Sequence, residues 1–361
     1  MQSKKASRVL VLGIAVGLAA AACSGTAPSA PATNPPSGAP GSAVATAEPG
    51  ALPPPEKTEL QIASSSNEIS DFAIRLAISK GIFDKYGIKA TYSIFEGDAL
   101  VSTALQSGQI QFASLGTSSS FSSHLTDTPY DIVSVTADRL TDALVCKSGI
   151  DTADEVKGKS IAISTFGGTS NAAALLSLKA LGLGADAAVI TQIGGQSARI
   201  AALQGGSVDC AIIDSTLNSQ MTDQGFSIAT DLSKVDVPFG RSGVAALEEF
   251  IKTNPKTVLV TVAAILEGQN LIWTDPDGSA AAYAKDTGLS LDDAKAQVQD
   301  FLNTGNRSCQ WPDEALVNAQ KPIAIVNPDI IEVQAGDVGD HTFLQQLVDN
   351  GFYAKIGSPV P

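Results

Sequence analysis

The sequence predicts an α/β protein of two similar domains, and three observations carry that prediction. A ten-residue phrase occurs twice: Ala104-Leu105-Gln106-Ser107-Gly108-Gln109-Ile110-Gln111-Phe112-Ala113 returns as Ala202-Leu203-Gln204-Gly205-Gly206-Ser207-Val208-Asp209-Cys210-Ala211. The copies, and the glycines Gly97 and Gly195 ahead of them, are offset by the same 98 residues. Each copy reads as the last turn of a helix, a Gly able to take the left-handed cap conformation, and a short apolar strand. The register extends outward, because Leu60-Gln61-Ile62-Ala63 and Ser160-Ile161-Ala162-Ile163 both read as opening strands followed by a polar loop and an apolar-periodic helix. Strands at about 89–94 and 188–193 come next in the two copies. Finally, 361 residues exceed what one hydrophobic core usually organises. Two βαβαβ units therefore predict two α/β domains; one larger doubly wound domain with look-alike helix-to-strand junctions is the alternative.

The N-terminus reads as an address. Lys4, Lys5 and Arg8 form a basic region, residues 9–22 an apolar run too short to span a bilayer, and Ala20-Ala21-Ala22 precede Cys23. A Cys after small residues resembles a bacterial lipobox, which would make Cys23 the lipidated N-terminus; Ala20 stands where such motifs usually carry Leu. Ordinary secretory cleavage at the Ala run is the alternative, and both export the protein. Residues 24–57 hold half of the chain's 18 prolines among Ala, Ser, Thr and Gly. Such a stretch cannot bury enough apolar surface to offset its ordering entropy, so a disordered, partly extended tether is expected.

Charge excludes one class of partner. Removing Lys4, Lys5 and Arg8 with the address takes the net charge from −14 to −17, and a surface that acidic argues against nucleic acid, whose phosphates are bound by clustered Lys and Arg. Cys146, Cys210 and Cys309 are too few and too scattered for a disulfide framework, and Cys210 reads as a small buried hydrophobe.

In open α/β sheets ligands lie beyond the carboxyl ends of the strands, where helix N-termini offer unpaired N–H groups. The repeat says which loops those are: Ser64-Ser65-Ser66-Asn67, Glu96-Gly97 and Gly116-Thr117-Ser118-Ser119 from the first unit, and Thr165-Phe166-Gly167-Gly168-Thr169-Ser170-Asn171, Gly194-Gly195-Gln196-Ser197 and Asp214-Ser215-Thr216 from the second. Gly167-Gly168-Thr169-Ser170 is the sharpest, between a strand and the Ala/Leu helix of residues 172–181, where the helix dipole favours an anion. Any one such Ser or Thr is equally an N-cap; their convergence in two matching units favours a binding site. No Gly-Lys-Ser/Thr ending or G-x-G-x-x-G implies a nucleotide, and His124 and His341 show no metal-ligand or triad spacing. No catalytic residue, metal or cofactor is expected. Of the cations Arg75, Arg139, Arg199 and Arg241, which could clamp a carboxylate or sulfonate, Arg139 and Arg241 are favoured because they precede expected interdomain strands.

With these residues in hand, the chain resembles the nitrate/sulfonate/taurine-type solute-binding proteins of bacterial ABC importers, a group with relatives that bind thiamine-pyrimidine precursors. The resemblance rests on Ala77-Ile78-Ser79-Lys80-Gly81-Ile82-Phe83 with Tyr86-Gly87-Ile88, Asp154-Glu155-Val156-Lys157-Gly158-Lys159, Gly167-Gly168-Thr169-Ser170, the two repeat phrases, and Phe250-Ile251-Lys252-Thr253-Asn254-Pro255. It covers about residues 59–273, beyond which a generic helical pattern continues. It implies a type 2 periplasmic-binding-protein fold, two doubly wound α/β lobes joined by two crossover strands with the ligand cleft between them. The boundaries that follow are a signal peptide at 1–22, lipidated Cys23 and tether at 23–57, a first lobe of 58–147 plus 237–361, and a second lobe of 148–236. Ser64-Ser65-Ser66-Asn67-Glu68 replaces a Pro-containing segment of better-known members, which leaves the ligand open. In relatives that bind flat rings aromatics line the cleft, and the resemblance leaves Phe95, Phe121 and Phe166 as candidates here; the polar loops favour a small organic anion.

The function implied is an exported, membrane-anchored monomer that captures a small solute by hinge closure and hands it to an ABC permease and its ATPase. A solute-sensing lipoprotein without transport and an enzyme on the same fold are the alternatives. The cysteine-rich run of the pyrimidine-precursor synthase among the relatives is absent from this sequence.

Overall fold

The structure, a computed structural model, describes residues 48–360 other than 236 and 326; the signal segment, Cys23 and most of the Pro-rich stretch lie outside the described residues. The strands are, in chain order, β1 (Glu59–Ser64), β2 (Lys89–Ile94), β3 (Phe112–Leu115), β4 (Tyr130–Ala137), β5 (Asp142–Cys146), β6 (Ser160–Ile163), β7 (Val189–Gln192), β8 (Cys210–Asp214), β9 (Ser227–Asp231) and β10 (Ser242–Leu247). They form two five-stranded sheets of the same plan, β2-β1-β3-β10-β4 and β7-β6-β8-β5-β9. In each sheet the opening strand is parallel to its two neighbours. In each, the strand that has just crossed from the other lobe, β10 or β5, runs antiparallel to both of its partners.

The repeated phrase does what its residues predict. The helix Asp98–Gln106 ends before Gly108 at φ +74°, and the helix Gln196–Gln204 before Gly206 at φ +75°. Gly108 N and Gln109 N donate to Leu105 O and Ala104 O, and Gly206 N and Ser207 N to Leu203 O and Ala202 O. These paired closures cap the two helices identically and aim β3 and β8 alongside β1 and β6.

Three sequence expectations need correction. The first crossing falls at residues 138–141 and not after residue 147: β5 sits between β8 and β9, pairing Leu144 with Ile212 and Thr230. Its apolar run would suit the core of either lobe, so composition placed it on the wrong side of the boundary. The tether ends sooner than expected, because residues 48–57 are held by named contacts. The Glu56 carboxylate accepts the amides of Lys256 and Thr257 at the start of the helix Pro255–Thr274, and Gly50 N donates to Asn350 O. Cys146 and Cys210, paired across β5 and β8, form a disulfide, while Cys309 is a buried free thiol whose ionisation burial disfavours. The 64-residue separation hid that pair.

Beyond β10 the chain completes the first lobe with helices. The helix Pro255–Thr274 is rich in apolar residues, is buried on most of its surface and packs on the helix Phe72–Ser79. Gly268 allows that approach, since a Cβ there would lie 2.5 Å from Ala73 O. The helices Pro276–Thr287 and Leu291–Thr304 add a satellite core of Phe72, Tyr283, Val298 and Phe301, which brings Tyr283 and Gln297 to the edge of the space between the lobes.

Candidate functional site

The carboxyl ends of β1, β2 and β3 face those of β6, β7 and β8 across two adjoining cavities of about 50 and about 220 Å³. Both cavities are bordered by Ser65, Ser66 and Glu68 of the first lobe and by Gly195 and Gln196 of the second. Of the predicted residues, Gly116, Thr169, Ser170 and Arg241 also line the smaller cavity, and Asn67, Glu96 and Asp214 the larger. Others point elsewhere. Ser64 is buried and donates to Ser66 O, Thr117 is buried and donates to Gly240 O, and Ser118 is buried in the lobe. Phe166 is exposed and borders a separate recess with Gly167. Gly168 packs on Asp98, so it shapes the cleft without facing its space. Arg139 is exposed and lines neither cavity. Phe121 belongs to the core of the first lobe, Phe95 packs against that core half-buried, and His124 pairs with Asp131 at 3.0 Å outside both cavities.

Residues that the sequence left unmarked prove central. Asp71, 2% exposed, accepts the hydroxyls of Ser114 and Ser242 at 2.6 Å on Oδ1 and that of Ser66 at 2.5 Å on Oδ2, fixing the loop after β1. Asp98 crosses the gap: its carboxylate accepts the Thr169 amide at 3.3 Å, at the start of the helix Thr169–Ala180. Asp142, Ser164 and Ser242 also line the smaller cavity, beside Arg199, which the sequence named among the candidate cations without favouring it, and Tyr283 and Gln297 form a wall of the larger one. An acid in the first turn of a helix reads as a partner of that helix's own dipole, which is why Asp98 does not stand out in the sequence; Tyr283 and Gln297 lie on helices whose pattern is generic.

Arg241, on the second crossing, is the centre of the charge network. Its Nε donates to Asp142 at 3.2 Å, one terminal nitrogen to Ser70 Oγ at 2.8 Å, and the other to Glu68 at 2.6 Å and Asp214 at 2.7 Å. A single buried cation thus ties the first-lobe loop to two carboxylates of the second lobe. For Glu68 and Asp142, burial and repulsion from neighbouring carboxylates outweigh its pull. Burial, reinforced by Asp214 and Asp142, pushes the Glu68 carboxyl up to about 7 against the opposing pull of Arg241. Asp142 is raised for the same reasons, while its three carboxylates hold Arg241 firmly protonated against the cost of burial. Arg199 is bound differently. Its Nε and one terminal nitrogen donate to the carbonyls of Ile212 and Gly194, bracing β8 against the loop after β7. Arg75 pairs with Asp286 at 2.6 Å and donates to Asn67 O, which positions the same first loop from behind.

Two sheets of this plan, exchanging one strand each across two crossings and meeting at the loops beyond their strand ends, define a periplasmic-binding-protein fold. Solved structures agree: the alkanesulfonate-binding protein SsuA of Xanthomonas axonopodis pv. citri, bound to MOPS, superposes with TM-score 0.64 at 19% identity, covering 80% of this chain and 99% of its own. The periplasmic nitrate-binding protein NrtA of Synechocystis gives TM-score 0.66 at 15% identity, covering 82% and 89%. In sequence, the riboflavin-binding protein RibY of Chloroflexus aurantiacus is 28% identical over 277 residues, 75% of each chain. Residues 71–279 match the family model described as NMT1/THI5 like, more than half of the chain, and the chain belongs to that family.

Proposed function

We propose that this chain is an extracytoplasmic solute-binding protein of an ABC importer, which captures a small solute by closing two lobes over it and presents the closed form to a permease and its ATPase. The observation that carries the reading is the cleft itself, where polar loops from both lobes converge around the crossings and one buried arginine answers to both lobes. Hinge closure about such crossings is an established response to ligand. The names of relatives and of solved neighbours, which bind riboflavin, an alkanesulfonate or nitrate, support a binding role for the family fold. The role is non-catalytic, the protein acts as a monomer, and Cys23 is its lipid attachment point at the outer face of the membrane.

A thermal-shift screen of the purified exported chain tests this with sulfonates, nitrate, bicarbonate, pyrimidines and flavins. A solute that binds the native state alone stabilises it by about 2.7 kcal/mol at 100 times its Kd. One chemical class raising Tm in this way supports the reading. Silence across the panel, or turnover of any member, counts against it.

A further inference from the structure

The start of the helix Thr169–Ala180 is where an oxyanion would bind in this cleft, since the first amides of a helix lack intrahelical partners and its dipole favours negative charge. That position is filled by the chain itself. Asp98, carried by the other lobe and 5% exposed, accepts the Thr169 amide at 3.3 Å and Ser119 Oγ at 3.2 Å on Oδ2, and the Gly116 amide at 3.4 Å on Oδ1. Both sides are shaped to receive it: a Cβ added at Gly168 would lie 2.6 Å from Asp98 Oδ2, and one at Gly116 2.9 Å. The arginines bordering the smaller cavity are committed elsewhere, Arg241 to Glu68, Asp142, Asp214 and Ser70, and Arg199 to two backbone carbonyls. The adjoining larger cavity is bordered by Glu68, Glu96 and Asp214 and, among the described residues, by no Lys or Arg.

We propose that Asp98 is a specificity-determining residue that rejects oxyanions: on closure its carboxylate takes the position a sulfonate or nitrate would need, and the cleft is left to neutral or cationic solutes. This rests on the reading of the cleft as a solute site, and it replaces the small organic anion expected from the polar loops. The rejection has two physical sources. A tethered carboxylate competes at an effective concentration that a dilute free anion does not reach, and an anion that enters beside it meets like charge, the repulsive element on which discrimination commonly depends.

The test is calorimetric titration of ethanesulfonate and of nitrate, at constant ionic strength, into wild type, Asp98→Ala and Asp98→Asn. Wild type should show no binding at millimolar anion. Asp98→Ala should bind ethanesulfonate at least about fivefold more tightly than wild type, the gain expected of a charge at an uncovered helix N-terminus, with Asp98→Asn between them. Asp98→Asn keeps the side-chain volume and decides the matter if the alanine variant does not fold. Wild-type binding that weakens in the variants overturns the proposal, as does an equal lack of affinity in all three. The outcome is separate from that of the solute screen: a wild type silent to every solute sinks the receptor reading, while the anion gain in the variants is still measured.

Discussion

The two lobes follow the same path and begin their matching helices with different chemistry. Ninety-eight residues apart in the repeat, the helix Asp98–Gln106 begins with an acid and the helix Gln196–Gln204 with an amide. Asp98 reaches across to a helix start of the other lobe, whereas Gln196 stays within its own, accepting the Asp214 amide at 2.7 Å. The first lobe supplies Glu68, Asp71, Glu96 and Asp98; the second supplies Asp142 and Asp214 and also the helix starts at Thr169 and Gln196, which Asp98 and Glu96 face. Duplicating a chain path thus does not duplicate a site. The residue at the helix start, Asp98 or Gln196, decides whether that helix reaches across the gap or stays within its own lobe.

That complementarity can be broken most severely at Arg241. Arg241→Met keeps much of the volume and leaves Glu68, Asp142 and Asp214 buried without their cation, a loss of about 3–5 kcal/mol for removing one partner of a buried charge cluster, to be read by urea unfolding. A change of under about 1 kcal/mol would mean the carboxylates relax into water and the lobes are not tied through this residue. Next comes a wedge. Gly116 has φ −62° and ψ 129°, an ordinary conformation for any residue, yet a Cβ there would overlap Thr169 Oγ1 of the other lobe. Gly116→Ala should leave each lobe folded and hold the cleft ajar, costing the closed form about 1–3 kcal/mol as overpacking does. Small-angle scattering would show a larger radius of gyration, and an unchanged radius would show that Thr169 simply turns aside.

The smallest effect expected is a pH slope. Glu68 titrates near 7 in the closed cleft against an ordinary 4.5, so the closed form favours its protonated state. The stability it contributes is complete below about pH 4.5 and is lost as pH rises through about 7. Glu68→Gln holds that position neutral at every pH, so its Tm should decline less than that of wild type across this window. Parallel declines would place the titration on Asp142 or elsewhere.

Much of this is written in the sequence, and the rest is hidden for physical reasons. Cap chemistry is local, so Gly108 and Gly206 announce where two helices end and, from there, which loops converge. Arg241 is legible because a cation ahead of an interdomain strand must lie near the junction. Ser64, Thr117 and Ser118 mislead because a Ser or Thr after a strand is written the same way whether its hydroxyl faces a cleft or a carbonyl of its own lobe. Asp98 is hidden because its partner amide is 71 residues away, and Tyr283 and Gln297 because helices distant in sequence deliver them. The Cys146–Cys210 bond depends on β5 belonging to the second sheet, a boundary that five apolar-rich residues do not declare.

The contacts of residues 48–57 bind that stretch to the first lobe. Glu56 clasps the start of the helix Pro255–Thr274, and Gly50 accepts Lys355 Nζ at 3.0 Å near the C-terminus, all within the first lobe. Any pull arriving through the N-terminus is therefore borne by that lobe's largest helix and not by the crossings. Under the proposed attachment at Cys23, the first lobe would serve as the handle and the second as the jaw, with the Arg241 junction carrying no load between them.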